Sequence, residues 1–377
     1  MRVLLSGASG TVGIPLAAAL LAHDADLRLV CVLRSAKARA ALEESLPPAL
    51  LQRVEFIEAD LSDDASIDAA IASMRTLATD DTATVGVHLA ADVSWDKSCE
   101  EMQQLNVQGT QNFARLLLAA STRPHMVYVS TAYTQTHDWD YRNGYEESKA
   151  MAERSLREGF GNRLPISTFS CSLVVGDSRT GEIARFNGLY PLIKFLATFN
   201  PPFLVGNKDG LLDIVPVDWV VAELHAMVLR CAADDAPHEC VASAGAQRLR
   251  YETTVRLIEE RIAHARHRHG LPQLAPVPIL RDRQWGFLKR ALAAWQPPGI
   301  SRSDFRYFER LLRVYGIYAS SDRVRPPLQV CKPSPDPLDF LPGVVDHWIA
   351  CHPRAVRPHP ATTPSAQSAP SVQEQAA

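Results

Sequence analysis

Tyr145 and Lys149 stand four residues apart in Tyr145-Glu146-Glu147-Ser148-Lys149, so on a helix they share one face. A tyrosine hydroxyl ordinarily titrates near about 10, and a neighbouring ammonium favours the phenolate and lowers that value. Tyr145 could then give its proton to a carbonyl oxygen while hydride reaches the carbon. Lys149 could also hold the ribose of a nicotinamide. Ser130-Thr131 ends an apolar run upstream and offers a hydroxyl to the same substrate oxygen. Asn106, in Leu105-Asn106-Val107-Gln108-Gly109-Thr110, could orient the central helix or a proton-relay water. A Tyr-x-x-x-Lys spacing alone also occurs on solvated helices, so its weight comes from the rest of the chain.

A second motif supplies that weight. Gly7-Ala8-Ser9-Gly10-Thr11-Val12-Gly13 follows the apolar run Arg2–Ser6 and precedes an apolar stretch of helical length from Ile14 to Ala22. In such a turn the first glycine permits the tight bend, the second lets backbone approach a pyrophosphate, and the third lets helix pack on strand. The pyrophosphate would sit at the positive end of the helix dipole, against Ser9, Thr11 and Val12.

Where an NAD site usually carries an acidic residue after the second strand, Leu33 is followed by Arg34-Ser35. Arg34 could pair bidentately with a 2′-phosphate, with Ser35 donating a further hydrogen bond. An ordinary solvated arginine is the plainer alternative, and the expectation adopted is NADP(H). Asp60-Leu61 closes the third strand, where a carboxylate can accept from the adenine amino group. His88-Leu89-Ala90-Ala91 closes the fourth, where Ala90 and Ala91 let backbone meet the adenosine ribose and diphosphate.

These motifs need a frame. Apolar runs at 2–6, 27–33, 54–59, 84–90, 125–130 and 165–173 alternate with helical patterns at 14–22, 36–46, 67–77, 102–120 and 145–157. That alternation predicts parallel βαβ units with right-handed crossovers. A further helix is expected from Asp218 to Cys231, with Asp218 as its N-cap. The fold expected is α/β, a Rossmann-type doubly wound parallel sheet with a smaller, helix-rich C-terminal annex. Residues 1–175 form the NADP-binding core and 176–350 the substrate-binding annex, with 212–245 returning to the core. The Pro-, Ala-, Ser-, Thr- and Gln-rich residues 351–377 read as a disordered tail.

The bulk properties exclude little else. With 377 residues, 46% of them apolar, and a net charge of −3, nothing global suggests nucleic acid or a membrane surface. No apolar run reaches the ~20 residues of a membrane span. Met1 runs almost directly into a strand, which leaves no room for a signal peptide. Seven scattered cysteines without CxxC spacing predict reduced thiols in a cytoplasmic protein.

Taken in order, the glycine turn, Asp60-Leu61, the His88–Ala91 strand end, Asn106, Ser130-Thr131-Ala132-Tyr133 and the Tyr145–Lys149 pair resemble the extended short-chain dehydrogenase/reductase family, from residue 1 to about 230. The resemblance implies a catalytic triad of Thr131, with Ser130 as the competing assignment, Tyr145 and Lys149. Asn143–Lys149 with Ala152-Glu153, Val174–Gly181 and Val215–Val220 resemble its thioester reductase and fatty acyl-CoA reductase branch, the male-sterility-type NAD-binding domain. That branch implies NADPH-dependent reduction of an acyl thioester, on coenzyme A or a carrier protein, to an aldehyde or alcohol. Departures are Ser170-Cys171-Ser172, where extended reductases often have a proline, and residues 245–350, which match nothing in the branch.

Other readings stay open. A nucleotide-sugar epimerase or dehydratase would recycle its nicotinamide, usually NAD, against which Arg34 speaks. An alcohol or ketone dehydrogenase on a hydroxysteroid-like substrate is another. A non-catalytic NADP(H)-binding sensor would not need Tyr145 and Lys149. On the substrate side, Phe186, Tyr190, Phe195, Phe199 and Phe203 either line an acyl pocket or close the annex core. The Arg-rich stretch 248–313 is either a solvated face or, through Arg261, Arg266 and Arg268, a dock for an acidic carrier protein or coenzyme A phosphates. His264, His267 and His269 lack the acidic or cysteine partners of a metal site.

Overall fold

The computed structural model describes residues 1–74, 83–134, 141–199, 201, 203–233, 236–281, 283–286 and 331–356. Of the expected tail 351–377, Cys351 ends a helix and Val356 is buried, which corrects where that tail begins; residues 357–377, the basic residues 287–313 and the end of the expected helix 67–77 lie outside the described residues.

The chain opens with β1 (Arg2–Ser6), α1 (Gly13–His23), β2 (Arg28–Leu33), α2 (Ala36–Ser45), α3 (Pro48–Leu51), β3 (Val54–Glu58), α4 (Asp64–Met74) and β4 (Thr84–His88). It continues through α5 (Cys99–Met102), α6 (Gly109–Ala120), β5 (Pro124–Thr131), α7 (Gly144–Phe160) and β6 (Ile166–Cys171). β7 (Leu173–Val175), α8 (Tyr190–Phe199), β8 (Leu204–Val205), β9 (Leu211–Leu212), β10 (Ile214–Pro216) and α9 (Val217–Ala233) follow. The last elements are β11 (Glu239–Ala242), β12 (Leu249–Arg250), α10 (Tyr251–Arg268), β13 (Ile279–Leu280) and α11 (Pro337–Cys351).

Seven strands form one parallel sheet in the order β11-β6-β5-β4-β1-β2-β3. The near-continuous apolar β1 and β2 suit strands covered on both faces. One apolar cluster packs α1 and α9 on one face; another packs α4, α6 and α7 on the other. β1 and β4 are neighbours, and the strand order reverses between them. The crevice beyond their carboxyl ends is therefore the topological switch point where such sheets take ligands. The Gly7–Gly13 turn and the His88–Ala91 strand end both open onto it.

A third apolar cluster joins α8, α10 and α11 into the annex core. Tyr190 and Phe195 are buried there, Phe186 and Phe203 pack against it, and Phe199 is exposed. None of the five aromatics lines the two clefts described below; Tyr190, Phe195, Phe186 and Phe203 belong to or pack on the annex core. Arg261 forks onto Asp346 of α11, at 2.9 and 2.5 Å. Arg266 donates to the carbonyls of Pro272 and Val356. These two arginines bind α10 to its neighbours, a structural role that the sequence reading did not assign them.

The expectation of seven reduced thiols also fails. Cys240 in β11 and Cys331 form a disulfide with Cα atoms 6.5 Å apart. Ninety-one positions separate them, and such a spacing carries no pairing signal. The fold lays the segment leading into α11 against the edge strand β11. Among the described residues no helix is long and apolar enough to cross a membrane, and no cluster of His, Cys, Asp or Glu could hold a metal ion.

Candidate functional site

Two clefts adjoin at the switch point. The first, about 260 Å³, runs from Gly7, Ser9 and Gly10 past Arg34, Ser35, Asp60, Leu61, Ala90 and Ala91. The second, about 280 Å³, runs from Gly7, Gly10, Thr11, Val12 and Gly13 to Ser130, Thr131, Tyr145 and Lys149. Apart from Asn106, each residue that the sequence reading assigned to the cofactor or to proton transfer lines one of them.

The glycine turn is as tight as its pattern demands. Gly7 has φ +69°, and a Cβ there would lie 2.7 Å from the Ala90 nitrogen. A Cβ on Gly13 would collide with the Gly7 carbonyl oxygen. α1 begins with no side-chain cap, which leaves its N-terminal dipole to whatever occupies the crevice. At the far end, Ser35 caps α2 by accepting from the Ala38 nitrogen at 3.4 Å. Asp60 accepts from both the hydroxyl and the backbone nitrogen of Ser62, at 2.6 and 2.9 Å. The Ser62 hydroxyl, chiefly, holds the Asp60 carboxyl below its ordinary range, with a lesser contribution from the Arg34 charge.

His88 lies beneath the crevice, fully buried. Its Nδ1 is 2.7 Å from Ser6 Oγ and its Nε2 3.0 Å from Thr110 Oγ1. Thr110 spends its proton on the Asn106 carbonyl, at 2.6 Å. It therefore accepts from Nε2–H, and Nδ1 accepts from Ser6. Burial, then the Lys149 charge, pushes the imidazole well below its usual value, so the bridge is neutral.

α7 carries Tyr145 and Lys149. Asn143 caps it, accepting from the Glu146 nitrogen at 3.0 Å. The buried Glu146 pairs with Arg142, whose guanidinium stacks 4.2 Å over the Tyr133 ring. Asn106 donates to Ser148 Oγ at 2.9 Å, donates to the Asp92 carbonyl at 2.9 Å and accepts from the Asp92 nitrogen at 2.7 Å. It thus ties the 91–94 loop to α7 through a π-helical stretch, Gln103–Gln108. Its polar groups are committed to positioning.

Burial sets the charges. It raises the Tyr145 phenol above its ordinary value and pulls Lys149 down to about 7. The expectation that Lys149 would lower Tyr145 is thus overridden by desolvation. Lys149 Nζ lies 4.2 Å over the Tyr128 ring, and the buried Glu153 one turn on favours its charged form. Glu153 also engages the two hydroxyls flanking Thr131. It accepts from Ser130 Oγ at 2.5 Å and Thr134 Oγ1 at 3.1 Å. Among the described residues, Thr131 Oγ1 has only a long contact, 3.5 Å, to the Cys171 carbonyl.

A nicotinamide dinucleotide fits these residues. The glycine cradle admits no Cβ, α1 is uncapped, and Ser172 Oγ in the wall of the second cleft is buried with no partner among the described residues. Glu153 and Ser172 enter the sequence reading only inside longer stretches, Ala152-Glu153 and Ser170-Cys171-Ser172, and were given no role there. No sequence signal marks a helix acid or a strand-end hydroxyl as buried or unpaired.

Comparison with known proteins agrees with this architecture. A family model described as male sterility protein, an NAD-binding family, matches residues 5–224. An isonitrile lipopeptide synthase of Streptomyces coeruleorubidus is 29% identical over 218 residues, 51% of this chain and 14% of that protein. Peramine synthetase A of Epichloe festucae (strain Fl1) is 30% identical over 207 residues, 48% of this chain and 7% of that protein. The chain therefore spans a small part of these relatives' length. Among solved structures, the terminal R domain of the myxalamid PKS-NRPS pathway superposes with TM-score 0.66 at 21% identity, covering 93% of this chain and 91% of that one. The PhqB reductase domain of Penicillium fellutanum gives 0.62 at 16%, covering 93% of each. At these identities the structural likeness is one of fold. The family match runs from β1 into α9, and on it the chain belongs to the male sterility protein family, with the extended short-chain dehydrogenase/reductase fold.

Proposed function

We propose that the chain is an NADPH-dependent oxidoreductase that reduces an acyl thioester, carried by coenzyme A or a carrier protein, to an aldehyde or alcohol. The observation that carries the reading is one cleft lined by the glycine turn at one end and by Thr131, Tyr145 and Lys149 at the other. The relatives' names, a lipopeptide synthase and a synthetase, together with the R domain, support a carrier-bound thioester. Arg34 at the end of β2 supports the 2′-phosphate form of the cofactor. The reading is of a cytoplasmic enzyme.

When bound, the nicotinamide supplies the hydride. Thr131 and Tyr145 would hold the thioester oxygen between them, and Tyr145 gives it a proton as negative charge develops there. A phenol raised by burial stays protonated at neutral pH, so it begins the step as the acid. With Ser130 committed to Glu153, Thr131 is the hydroxyl left for substrate. Lys149 would hold the nicotinamide ribose and stabilise the phenolate left behind. Loss of the thiol from the resulting thiohemiacetal gives the aldehyde, so one NADPH and one proton yield one aldehyde and one thiol. Val93, Trp95 and Ile183 give the cleft an apolar side suited to an acyl group.

The test is stoichiometric. Purified protein is given NADPH and a series of acyl-CoA and acyl-pantetheine thioesters, and thiol release is followed with NADPH consumption. One NADPH per thiol marks aldehyde formation and two mark alcohol. Thiol release without NADPH consumption would mean hydrolysis and would defeat the reading.

A further inference from the structure

Five residues line both clefts: Gly7, Gly10, Leu89, Ala91 and Arg185. Their junction is where a dinucleotide spanning the two must place its diphosphate, because the adenosine-side residues Arg34 and Asp60 lie only in the first cleft and Tyr145 and Lys149 only in the second. Of the five, Arg185 alone is charged. It belongs not to the sheet but to the 176–188 segment between β7 and α8, and its Nη2 crosses to donate to the Ser9 carbonyl at 3.3 Å.

That segment is built rather than loose. Asp177 and Gly181 bond each other's neighbourhood through Asp177 N to Glu182 O, at 2.9 Å, and Gly181 N to Asp177 O, at 2.8 Å. Gly181 has φ +73° and packs its Cα face on the Gly343 backbone of α11. Phe186, next to Arg185, meets Tyr190 and His352 edge-on, with ring centroids 5.0 Å apart in each case. The backbone is thus held by the annex while the exposed guanidinium reaches the glycine turn.

We propose that Arg185 is an annex-borne ligand of the dinucleotide's diphosphate, and that through it cofactor binding fastens the 176–188 segment over the glycine turn. The proposal rests on the nicotinamide dinucleotide reading above. A guanidinium fork matches paired phosphate oxygens, and α1 presents its positive end from the opposite side. Arg185 exchanges a neutral carbonyl partner for a doubly charged one, so the segment is held more firmly with cofactor than without it.

Calorimetric titration of the full chain with two nucleotides tests this. NADPH carries the diphosphate, whereas adenosine 2′-monophosphate carries only the adenosine and its 2′-phosphate. Arg185→Ala should bind NADPH about tenfold or more weakly, the usual scale for losing a charged hydrogen bond, and adenosine 2′-monophosphate as tightly as wild type. Arg185→Lys should recover part of the NADPH affinity. NADPH should slow amide hydrogen exchange across 176–188 in wild type and not in Arg185→Ala. Unchanged NADPH affinity in Arg185→Ala, or an equal loss for both nucleotides, would overturn the proposal while leaving the cofactor reading intact. Failure of wild type to bind either nucleotide would overturn both.

Discussion

Ser130 Oγ lies 2.5 Å from Glu153 Oε1, a buried carboxylate one helical turn beyond Lys149. The contact binds the carboxyl end of β5 to α7, so strand and helix are held in fixed register. Ser130 and Thr131 both line the cleft, and the contact leaves the Thr131 hydroxyl the less committed of the two. Because Glu153 favours the charged form of Lys149, Glu153→Gln should lower the lysine's value further below about 7. The alkaline limb of kcat should then move to lower pH, and the rate at pH 8 should fall by about threefold to tenfold, on the order of 1 kcal/mol. Initial rates across pH 5.5–9 check this, and superimposable profiles would contradict it.

The proposed preference for NADPH rests on Arg34, which lines the first cleft. Arg34→Ala should weaken NADPH about tenfold or more, the scale of a charge-assisted hydrogen bond, and leave NADH nearly unchanged. Fluorescence titration with each nucleotide measures both. Equal loss for the two would mean that Arg34 does not read the 2′-phosphate.

The neutral His88 bridge makes the fold sensitive to acid. Its folded value lies well below the ordinary 6.5, so as pH falls through about 6.5 the unfolded chain takes up a proton that the native chain refuses. The bridge's stability is present above that pH and lost below it, by up to about 1.4 kcal/mol per pH unit. Thermal melts from pH 7.5 to 5 should show a steeper decline for wild type than for His88→Gln, whatever the variant's starting Tm. Parallel declines would refute the neutral bridge.

The Arg261–Asp346 fork gives the annex a separate test. Both side chains are about one-third exposed or less, at 27% and 35%, so solvent screening limits the pair to about 1 kcal/mol. Arg261→Glu should lower Tm by about 2–4 °C, and adding Asp346→Arg should recover most of it. If Arg261→Glu melts like wild type, the residue returns to the surface role that its sequence context suggests.

Much of this site was legible before the fold. Alternating apolar runs and helical patterns in the first 175 residues name the parallel sheet, because buried parallel strands leave few places for charge. The glycine turn is legible because backbone must approach backbone there. Tyr145 and Lys149 are legible because a helix repeats nearly every four residues. What stayed hidden depends on long-range contact. Glu153 resembles any helix-surface acid until β5 is laid against it. Arg185 has no motif, since its role comes from two clefts meeting beneath it. The four-residue β11 is too short to announce itself, and its Cys240 finds Cys331 only once the annex has folded back. The annex aromatics were undecided because pocket walls and cores use the same residues.

The central claim is that the cleft delivers hydride to a thioester carbonyl with Tyr145 as the acid. The most direct test is to supply NADPH carrying deuterium at the transferable position with an accepted acyl thioester, and to read the product by mass spectrometry. The account predicts one deuterium on the former carbonyl carbon of the aldehyde, free thiol in equal amount, and a rate about 10²- to 10⁴-fold lower in Tyr145→Phe with NADPH affinity kept. Unlabelled aldehyde, or a Tyr145→Phe variant as fast as wild type, would contradict it.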